Sequence, residues 1–169
     1  DSDAVEFVEG GDTRHGSETN VLRYLADDIE SGAVDVVAIH DAARPLAGPD
    51  MFVEAITLAR RFGGALPALP IRDLARQGAE GLECIADPST LVRVQTPQAF
   101  RARDLLHAYL RAERDGFEGT DTSSCIERYT DLEVRTFPGR AANLKVTYAR
   151  DAAVAQHLLA QAGGPTALR

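Results

Sequence analysis

The sequence predicts an α/β protein whose sheet is mostly parallel. Strand-like and helix-like segments alternate along the chain, which is typical of this class. The run from Val34 to Ile39 is almost continuously apolar and has the length of a strand. Such runs suit the central strands of a parallel sheet that is covered on both faces. Because these sheets bind ligands beyond the carboxyl ends of their strands, functional residues are expected at that edge.

The first third of the chain contains two predicted strands and one predicted helix. Residues 5–8 are expected to form a short strand that leads into the loop Glu9–Asp12. A helix is expected to begin near Ser17, because serine is a favoured N-cap residue, and to end at Gly32. Its apolar residues recur at helical spacing, at Val21, Leu22, Leu25 and Ile29. The apolar strand at 34–39 follows.

The middle of the chain repeats this alternation and then changes character. A helix is predicted around residues 52–59, where Phe52, Ala55, Ile56 and Ala59 share a face, and it ends at Gly63 and Gly64. A strand at 65–71 follows, and its two prolines, Pro67 and Pro70, place it near an edge or a bulge. Residues 72–94 mix polar and apolar positions, so we predict a hairpin-like arm outside the main sheet, with strands at 82–85 and 91–94.

The last third is predicted to contain three helices and two strands. The helices are expected at 102–115, 121–129 and 150–162, and the strands at 132–137 and 144–148. All of these elements fit into one domain, since 169 residues lie within the usual size of about 100–200 residues.

The amino-acid composition argues against several classes of function. A net charge of −8 argues against general binding of nucleic acids, which requires a basic surface. No apolar run approaches the roughly 20 residues of a membrane span, so no membrane association is expected. The two cysteines, Cys84 and Cys125, lack metal-ligand spacing and are expected to be reduced thiols, which is consistent with a cytoplasmic protein.

The segment His40–Pro45 is the strongest candidate for a functional site. It directly follows the most strand-like run of the chain. Asp41 offers a carboxylate of the kind that holds Mg²⁺ together with phosphates, and Arg44 can bind phosphate oxygens with a forked guanidinium. On these residues alone, a polar loop in which Asp41 caps a turn is the alternative.

Four further segments are weaker candidates. The loop 9–17 combines paired glycines with the start of a helix, which favours anions. Residues 95–98 place hydroxyl and amide groups after a strand, although a turn ordered by Pro97 explains them equally well. Thr120 and Asp121 match an ordinary N-cap. Lys145 is the only lysine among 18 basic residues, and its role is either to bind phosphate or to protect an edge strand.

Three segments together carry a family resemblance that runs from about Val5 to Leu159. They are His40–Pro45, Gln95–Phe100 and Gly139–Thr147. In this order and spacing they resemble the 2-C-methyl-D-erythritol 4-phosphate cytidylyltransferases and the related ribitol-5-phosphate cytidylyltransferases. The resemblance implies a Rossmann-like, three-layer α/β/α nucleotidyltransferase domain with an extended β-arm. It also implies transfer of CMP from CTP to a sugar-alcohol phosphate, with release of pyrophosphate, as in the synthesis of isoprenoid precursors.

The same resemblance assigns roles to individual residues. Asp41 would hold Mg²⁺ and, together with Lys145, would serve catalysis. The nucleotide would be contacted by Gly11, Asp12, Ser17, Asp41 and Ala42. The acceptor phosphate would be surrounded by Arg44, Thr96, Thr120 and Lys145. The family is usually a homodimer that exchanges an arm, and this arm corresponds to residues 72–91.

The chain departs from the family pattern in three places. The family opens with a strand and a glycine-rich loop that binds the triphosphate, and this sequence starts after that point. Leu74 stands where the family has a threonine, and Pro88 stands where the erythritol-type enzymes place an arginine. These departures leave two alternatives open, a cytidylyltransferase for ribitol 5-phosphate or another polyol phosphate, and a non-catalytic binding or dimerisation module.

Overall fold

A computed structural model of the chain describes residues 5–71, 75–79, 81–84, 91–119 and 121–161. In chain order, the elements are α1 (Arg14–Tyr24), α2 (Ala26–Ser31), β1 (Val36–Ile39), α3 (Pro49–Phe62), β2 (Gly63–Pro70), β3 (Ala75–Gly78), β4 (Gly81–Cys84), β5 (Val92–Val94), β6 (Gln98–Arg101), α4 (Ala102–Arg114), α5 (Thr122–Tyr129), β7 (Glu133–Pro138) and α6 (Ala149–Gln161).

The central sheet is mixed. Strands β1, β2 and β7 run in the same direction, and β2 pairs with β7 in parallel register from Gly63↔Glu133 to Ala68↔Pro138. Strand β6 runs antiparallel between β1 and β2. Strand β5 pairs with the carboxyl-terminal end of β2, at Ala68–Pro70, also in antiparallel orientation. The α/β class is therefore confirmed, but the expectation of a mostly parallel sheet is wrong: among the described strands of this sheet, only β2 and β7 pair in parallel. The antiparallel strand β6, which was not predicted, lies between β1 and β2.

Helices cover both faces of this sheet, as the resemblance implied. Neighbouring residues of β6 point to opposite faces, because side chains alternate along a strand. Phe100 packs with buried residues of α1, α2, α4 and α5, including Leu22, Ile29 and Leu105. Ala99 packs on the other face with residues of α3, such as Ala55. The molecule therefore has three layers, α/β/α.

Glycines end two of the helices at the predicted positions. Gly32 follows α2 with a φ of 84°, and Gly63 follows α3 with a φ of 119°. Both lie in the left-handed region, where a side chain would add strain. At Gly63 a Cβ atom would also stand 2.7 Å from Cδ2 of Leu132, so the turn from α3 into β2 requires glycine.

Several local predictions are wrong. The single helix expected to end at Gly32 is two helices, α1 and α2. Strand β2 is not an edge strand despite its prolines, since it pairs with β5, β6 and β7. The first helix is capped by Thr13 and not by Ser17, since Thr13 Oγ1 accepts a hydrogen bond from the N–H of Gly16. Residues 5–8 do not form a strand, and neither do residues 144–148. Within the described ranges, no neighbouring strand pairs with either segment, and an apolar pattern alone cannot supply those hydrogen bonds.

The predicted arm is only partly outside the main sheet, since β5 pairs with β2, whereas β3 and β4 form a separate two-stranded sheet. Strands β3 and β4 pair in antiparallel register from Ala75↔Cys84 to Gly78↔Gly81. The side chain of Leu82 is exposed. Leu74 and Pro88, the two positions at which the sequence departs from the family, lie outside the described residues.

Two further expectations concern cysteines and membranes. Cys125 is a buried free thiol, as predicted, and the side chain of Cys84 is outside the described part. Among the helices that the structure describes, none combines the length and the apolar character that crossing a membrane would require. The cytoplasmic location stays a prediction.

Candidate functional site

Asp41 is the second residue of the loop that follows β1, at the carboxyl end of that strand. Its backbone N–H donates to Thr96 Oγ1 at 3.0 Å. The same hydroxyl lies 2.9 Å from His40 Nδ1, and His40 Nε2 lies 3.1 Å from the carbonyl oxygen of Arg44. These hydrogen bonds join the loop to the segment between β5 and β6. The position of Asp41 is therefore fixed both by that segment and by contacts within its own loop.

Three cationic side chains from different parts of the chain surround the Asp41 carboxylate. Lys145 Nζ and Arg44 Nε lie 3.2 Å and 3.3 Å from Oδ2, respectively. Arg14 Nη2 lies 3.9 Å from Oδ1. Burial acts to raise the pKa of Asp41, but the hydrogen bond and charge of Lys145, with the charges of Arg14 and Arg44, lower it below its usual value. The carboxylate is therefore ionised, within a site whose contacting charges are otherwise positive.

A buried amide holds the lysine segment against this loop. The side chain of Asn143 is fully buried and donates from Nδ2 to the carbonyl oxygen of Thr96 at 2.9 Å. The backbone carbonyl of Asn143 accepts from Arg44 Nη1 and from Gln95 Nε2, both at 2.9 Å. Directly after Lys145, the Val146 N–H donates to the carbonyl oxygen of Ala43 at 2.8 Å. The lysine segment is thus attached to the Asp41 loop without being a strand.

Gly139 allows the chain to pass close to this amide network. Its N–H donates to the carbonyl oxygen of Ala68 at 2.8 Å. A Cβ atom at this position would stand 2.6 Å from Gln95 Oε1, which accepts from the N–H of Arg140 at 3.0 Å. A side chain here would displace Gln95, and with it the support of Asn143.

The loop before α1 is folded on itself by Ser17. The N–H of Gly11 donates to Ser17 Oγ at 3.0 Å, and Ser17 Oγ donates to the carbonyl oxygen of Thr13 at 2.9 Å. A Cβ atom at Gly11 would stand 2.7 Å from the carbonyl carbon of Gly16, so this approach requires glycine. Arg14, in the first turn of α1, connects this loop to Asp41.

The predicted site residues divide into three groups. Asp41, Arg44, Thr96 and Lys145 are brought into direct contact, as described above. Gly11 and Ser17 contact each other in the loop that carries Arg14, and both Asp12 and Ala42 are exposed. Thr120 lies outside the described residues. The assigned roles stay predictions.

Sequence reasoning missed four residues that build the site, namely Arg14, His40, Gln95 and Asn143. Three of them lay inside the segments that carry the resemblance, so their polar side chains at strand ends were the available signal. Arg14 could have been found from Glu18, which follows it at the i,i+4 spacing of a helical ion pair. His15 lies on α1, where it is buried and stacks on Tyr109 at 4.5 Å.

The donors present fit a magnesium ion that is shared with phosphates. Over the described residues, no group of three or more His, Cys, Asp or Glu side chains could enclose a metal. Asp41 is a single ionised carboxylate at the rim of the site. Mg²⁺ is often held by one or two carboxylates and takes its other ligands from water and substrate phosphates. Asp41 could therefore contribute one ligand to such a shared ion.

The family model that matches the chain is IspD, 2-C-methyl-D-erythritol 4-phosphate cytidylyltransferase, over residues 1–161. The chain belongs to this family. Among curated relatives, the 2-C-methyl-D-erythritol 4-phosphate cytidylyltransferase of Acidobacterium capsulatum is 38% identical over 164 residues, which covers 94% of this chain and 66% of the relative. The bifunctional enzyme IspD/IspF of Rhodopseudomonas palustris (strain BisB5) is 44% identical over 142 residues, covering 83% of this chain and 35% of the relative.

Solved structures of this family have the same fold. The 2-C-methyl-D-erythritol 4-phosphate cytidylyltransferase of Thermus thermophilus superposes with a TM-score of 0.78 at 28% identity, covering 95% of this chain and 79% of that one. The 4-diphosphocytidyl-2C-methyl-D-erythritol synthase of Anaerococcus prevotii gives a TM-score of 0.80 at 25% identity, covering 92% and 67%. The chain spans about a third of the bifunctional relative and about two thirds of the single-function relative from Acidobacterium.

Proposed function

We propose that this protein transfers CMP from CTP to 2-C-methyl-D-erythritol 4-phosphate and releases pyrophosphate. The observation that carries the proposal is the convergence of Lys145, Arg44 and Arg14 on the Asp41 carboxylate at the carboxyl end of β1. This arrangement offers several positive groups and one carboxylate to a ligand that bears phosphates. Membership of the family and the printed names of the relatives support the choice of substrates.

The chemistry suits such a site. An oxygen of the acceptor phosphate forms a bond to the α-phosphorus of CTP, while the bond from that phosphorus to the bridging oxygen breaks and pyrophosphate leaves. No proton has to move in this step. The protein therefore contributes mainly by holding the two anions in line and by neutralising their charge. In this proposal Lys145 and Arg44 would neutralise charge, and Thr96, which accepts from the Asp41 N–H, would fix the loop that carries Asp41.

Asp41 would also hold Mg²⁺ in this proposal. When bound, the ion would neutralise charge on the phosphates and orient them. The cations around the carboxylate would then also contact the phosphate oxygens, which are anionic like the carboxylate. Their side chains permit this, since Lys145 is 47% exposed and Arg14 is 39% exposed.

Ribitol 5-phosphate is the alternative acceptor, and it is tested against methylerythritol phosphate. Leu74 and Pro88 depart from the family pattern, which motivates ribitol 5-phosphate as the alternative. The printed names of the curated relatives favour methylerythritol phosphate. Pyrophosphate release should be faster with methylerythritol phosphate than with ribitol 5-phosphate at equal concentrations, and the reverse order would overturn the choice of acceptor.

The role of Asp41 is tested by Asp41→Asn. We expect the purified protein to release pyrophosphate from CTP in the presence of Mg²⁺ and acceptor. The variant should lose at least about a hundredfold in turnover, because the amide cannot replace the charge of a metal ligand. Unchanged turnover would overturn this role, and a wild-type protein that releases no pyrophosphate would overturn the proposed function.

Asp35→Asn is the matched control. Asp35 stands just before β1, at the opposite end of the strand, and pairs with Arg60 at 2.6 Å. This ion pair is exposed, so its loss should change stability little. Turnover should match the wild type. A comparable loss in both variants would indicate a general effect of removing a carboxylate next to β1.

Two further parts of the proposal concern assembly and place. The arm, with its separate sheet β3–β4 and exposed Leu82, is proposed to be exchanged between the subunits of a homodimer. Sedimentation equilibrium measures whether dimers form, and a monomer at micromolar concentration would contradict the proposed exchange.

The protein is proposed to act in the cytoplasm on small phosphorylated substrates, without nucleic acid or membrane. Fractionation of cells checks the location.

A further inference from the structure

Glu18 is a carboxylate in an apolar setting. Its side chain is only 10% exposed. It borders a groove between α1 and β1 that is lined otherwise by Ser17 and by apolar side chains, namely Val21, Leu22, Val37, Ala38 and Ile39. Burying an ionised carboxylate is costly unless hydrogen bonds and an opposite charge compensate. The contacts of Glu18 therefore indicate what it does.

Donors from three helices converge on this carboxylate. Arg14 Nε of α1 donates to Oε1 at 2.8 Å, and Thr122 Oγ1 of α5 lies 3.2 Å from both carboxylate oxygens. The hydroxyl of Tyr109, from α4, donates to Oε2. Tyr109 and Thr122 are themselves fully buried. Glu18 therefore accepts hydrogen bonds from two buried neutral donors and also pairs with the partly exposed Arg14.

This pairing determines where the guanidinium of Arg14 points. A guanidinium is planar and carries five N–H groups, so fixing Nε sets the direction of the two terminal nitrogens. Nη2 then lies 3.9 Å from Asp41 Oδ1, which is longer than a hydrogen bond. Within the described residues, the side-chain hydrogen bond of Arg14 goes to Glu18 alone. The N–H groups of the terminal nitrogens therefore face the site and are available to a ligand.

We propose that Glu18 is a positioning residue that orients Arg14 to bind the phosphate chain of CTP. This inference rests on the proposed function and extends it to two residues outside the predicted site. Arg14 lies in the first turn of α1, in the loop that Gly11 and Ser17 fold, and beside Asp41. A ligand that reaches both Asp41 and that loop must pass the guanidinium. A forked, charged donor at this place matches a phosphate.

A purely structural role makes a different prediction. If Glu18 served only to join α1 to α4 and α5, its loss would lower stability and would not depend on Arg14. A double-mutant cycle separates the two roles, because it measures whether two residues act through each other. The cycle uses Glu18→Gln, Arg14→Met and the double variant, with the dissociation constant of CTP measured by titration calorimetry in the presence of Mg²⁺.

We expect Glu18→Gln to weaken CTP binding by about tenfold, since an uncharged amide no longer holds the guanidinium. Arg14→Met should weaken it at least as much. In the Arg14→Met background, Glu18→Gln should change the dissociation constant by less than about twofold. Equal weakening by Glu18→Gln in both backgrounds would overturn the proposal, and so would a loss of thermal stability with unchanged CTP binding.

Two additional variants keep the test decisive. Glu113→Gln is the matched control, because Glu113 of α4 also pairs with an arginine of α1, Arg23, in another part of the surface. It should leave CTP binding unchanged. Arg14→Lys retains the charge on a partly exposed position and should bind CTP more weakly, even if Glu18→Gln fails to fold. Wild-type affinity in Arg14→Lys and Arg14→Met would overturn the inference, whereas a wild-type protein that does not bind CTP would overturn the proposed function itself.

Discussion

Individual side chains in this protein owe their chemical state to neighbours that are distant in sequence. Asp41 is ionised because Lys145, Arg14 and Arg44 outweigh the cost of its burial. Its pKa is lowered, so the ion pairs are present above the usual carboxyl pKa and are lost as the pH falls through the lowered value. At neutral pH the carboxylate therefore stays available to a metal or to the cations around it.

Cys125 shows the opposite effect of burial. Desolvation raises the pKa of its thiol to about 11, and the charge of nearby Glu18 acts in the same direction. In a Cys84→Ser background, we expect no alkylation of Cys125 by iodoacetamide at about pH 8 in the native protein, because the thiol is both covered and protonated. Mass spectrometry of the intact protein measures this.

The denatured protein provides the control for that experiment. In guanidinium chloride the same thiol should be modified completely, since burial is lost. Rapid modification under native conditions would show that α5 opens readily and that Cys125 is not part of a stable core.

At the scale of single elements, helix ends are the features that local sequence determines most directly. The start of α5 has a reciprocal capping box. Asp121 accepts from the N–H of Ser124 at 2.9 Å, and the N–H of Asp121 donates back to Ser124 Oγ. The helix carries Thr122 and Cys125 into the core, so its first turn also supports the contact with Glu18.

Asp121→Ala should destabilise the protein by about 1 kcal/mol, because a favoured N-cap residue is lost. Chemical denaturation followed by circular dichroism measures the change. Glu127→Ala, at an exposed position of the same helix, is the control and should stay within about 0.5 kcal/mol of the wild type. A larger effect at Glu127 than at Asp121 would contradict this account of the helix start.

For the whole molecule, the sheet is the layer on which both cores depend. Phe100 of β6 fills the face covered by α1, α2, α4 and α5, and its neighbour Ala99 fills the face covered by α3. Gly64 of β2 leaves room for the ring, because a Cβ atom there would stand 2.6 Å from Phe100 Cδ1. Strand β6 therefore combines the two layers of helices into one cooperative unit.

Phe100→Ala should cost about 3–5 kcal/mol of unfolding free energy, since it removes a fully buried ring and leaves a cavity. Val53→Ala, at a position that is 65% exposed on α3, should change it by less than about 0.5 kcal/mol. Urea denaturation of both variants tests this. A loss below about 1 kcal/mol for Phe100→Ala would show that the core rearranges to fill the space.

Much of the fold followed from the order of residues alone. Helical spacing and terminal glycines predicted α3 and its end at Gly63, and the apolar run predicted β1 to within two residues. The site was predicted as a set of segments, and Asp41, Arg44, Thr96 and Lys145 indeed meet. The insertion of β6 was not predicted, because its four residues have no length or pattern that distinguishes them from a loop.

By itself, the sequence determined the elements with strong local patterns, the α/β class and the motif at the end of β1, because propensity, capping and spacing act between close neighbours. Only the tertiary structure decided that β6 runs antiparallel between β1 and β2, that Val146 in the loop 144–148 hydrogen-bonds to Ala43, and that Arg14 lies beside Asp41. These features depend on hydrogen bonds and charges between residues that are distant in sequence, and no local pattern specifies which partner each group will find.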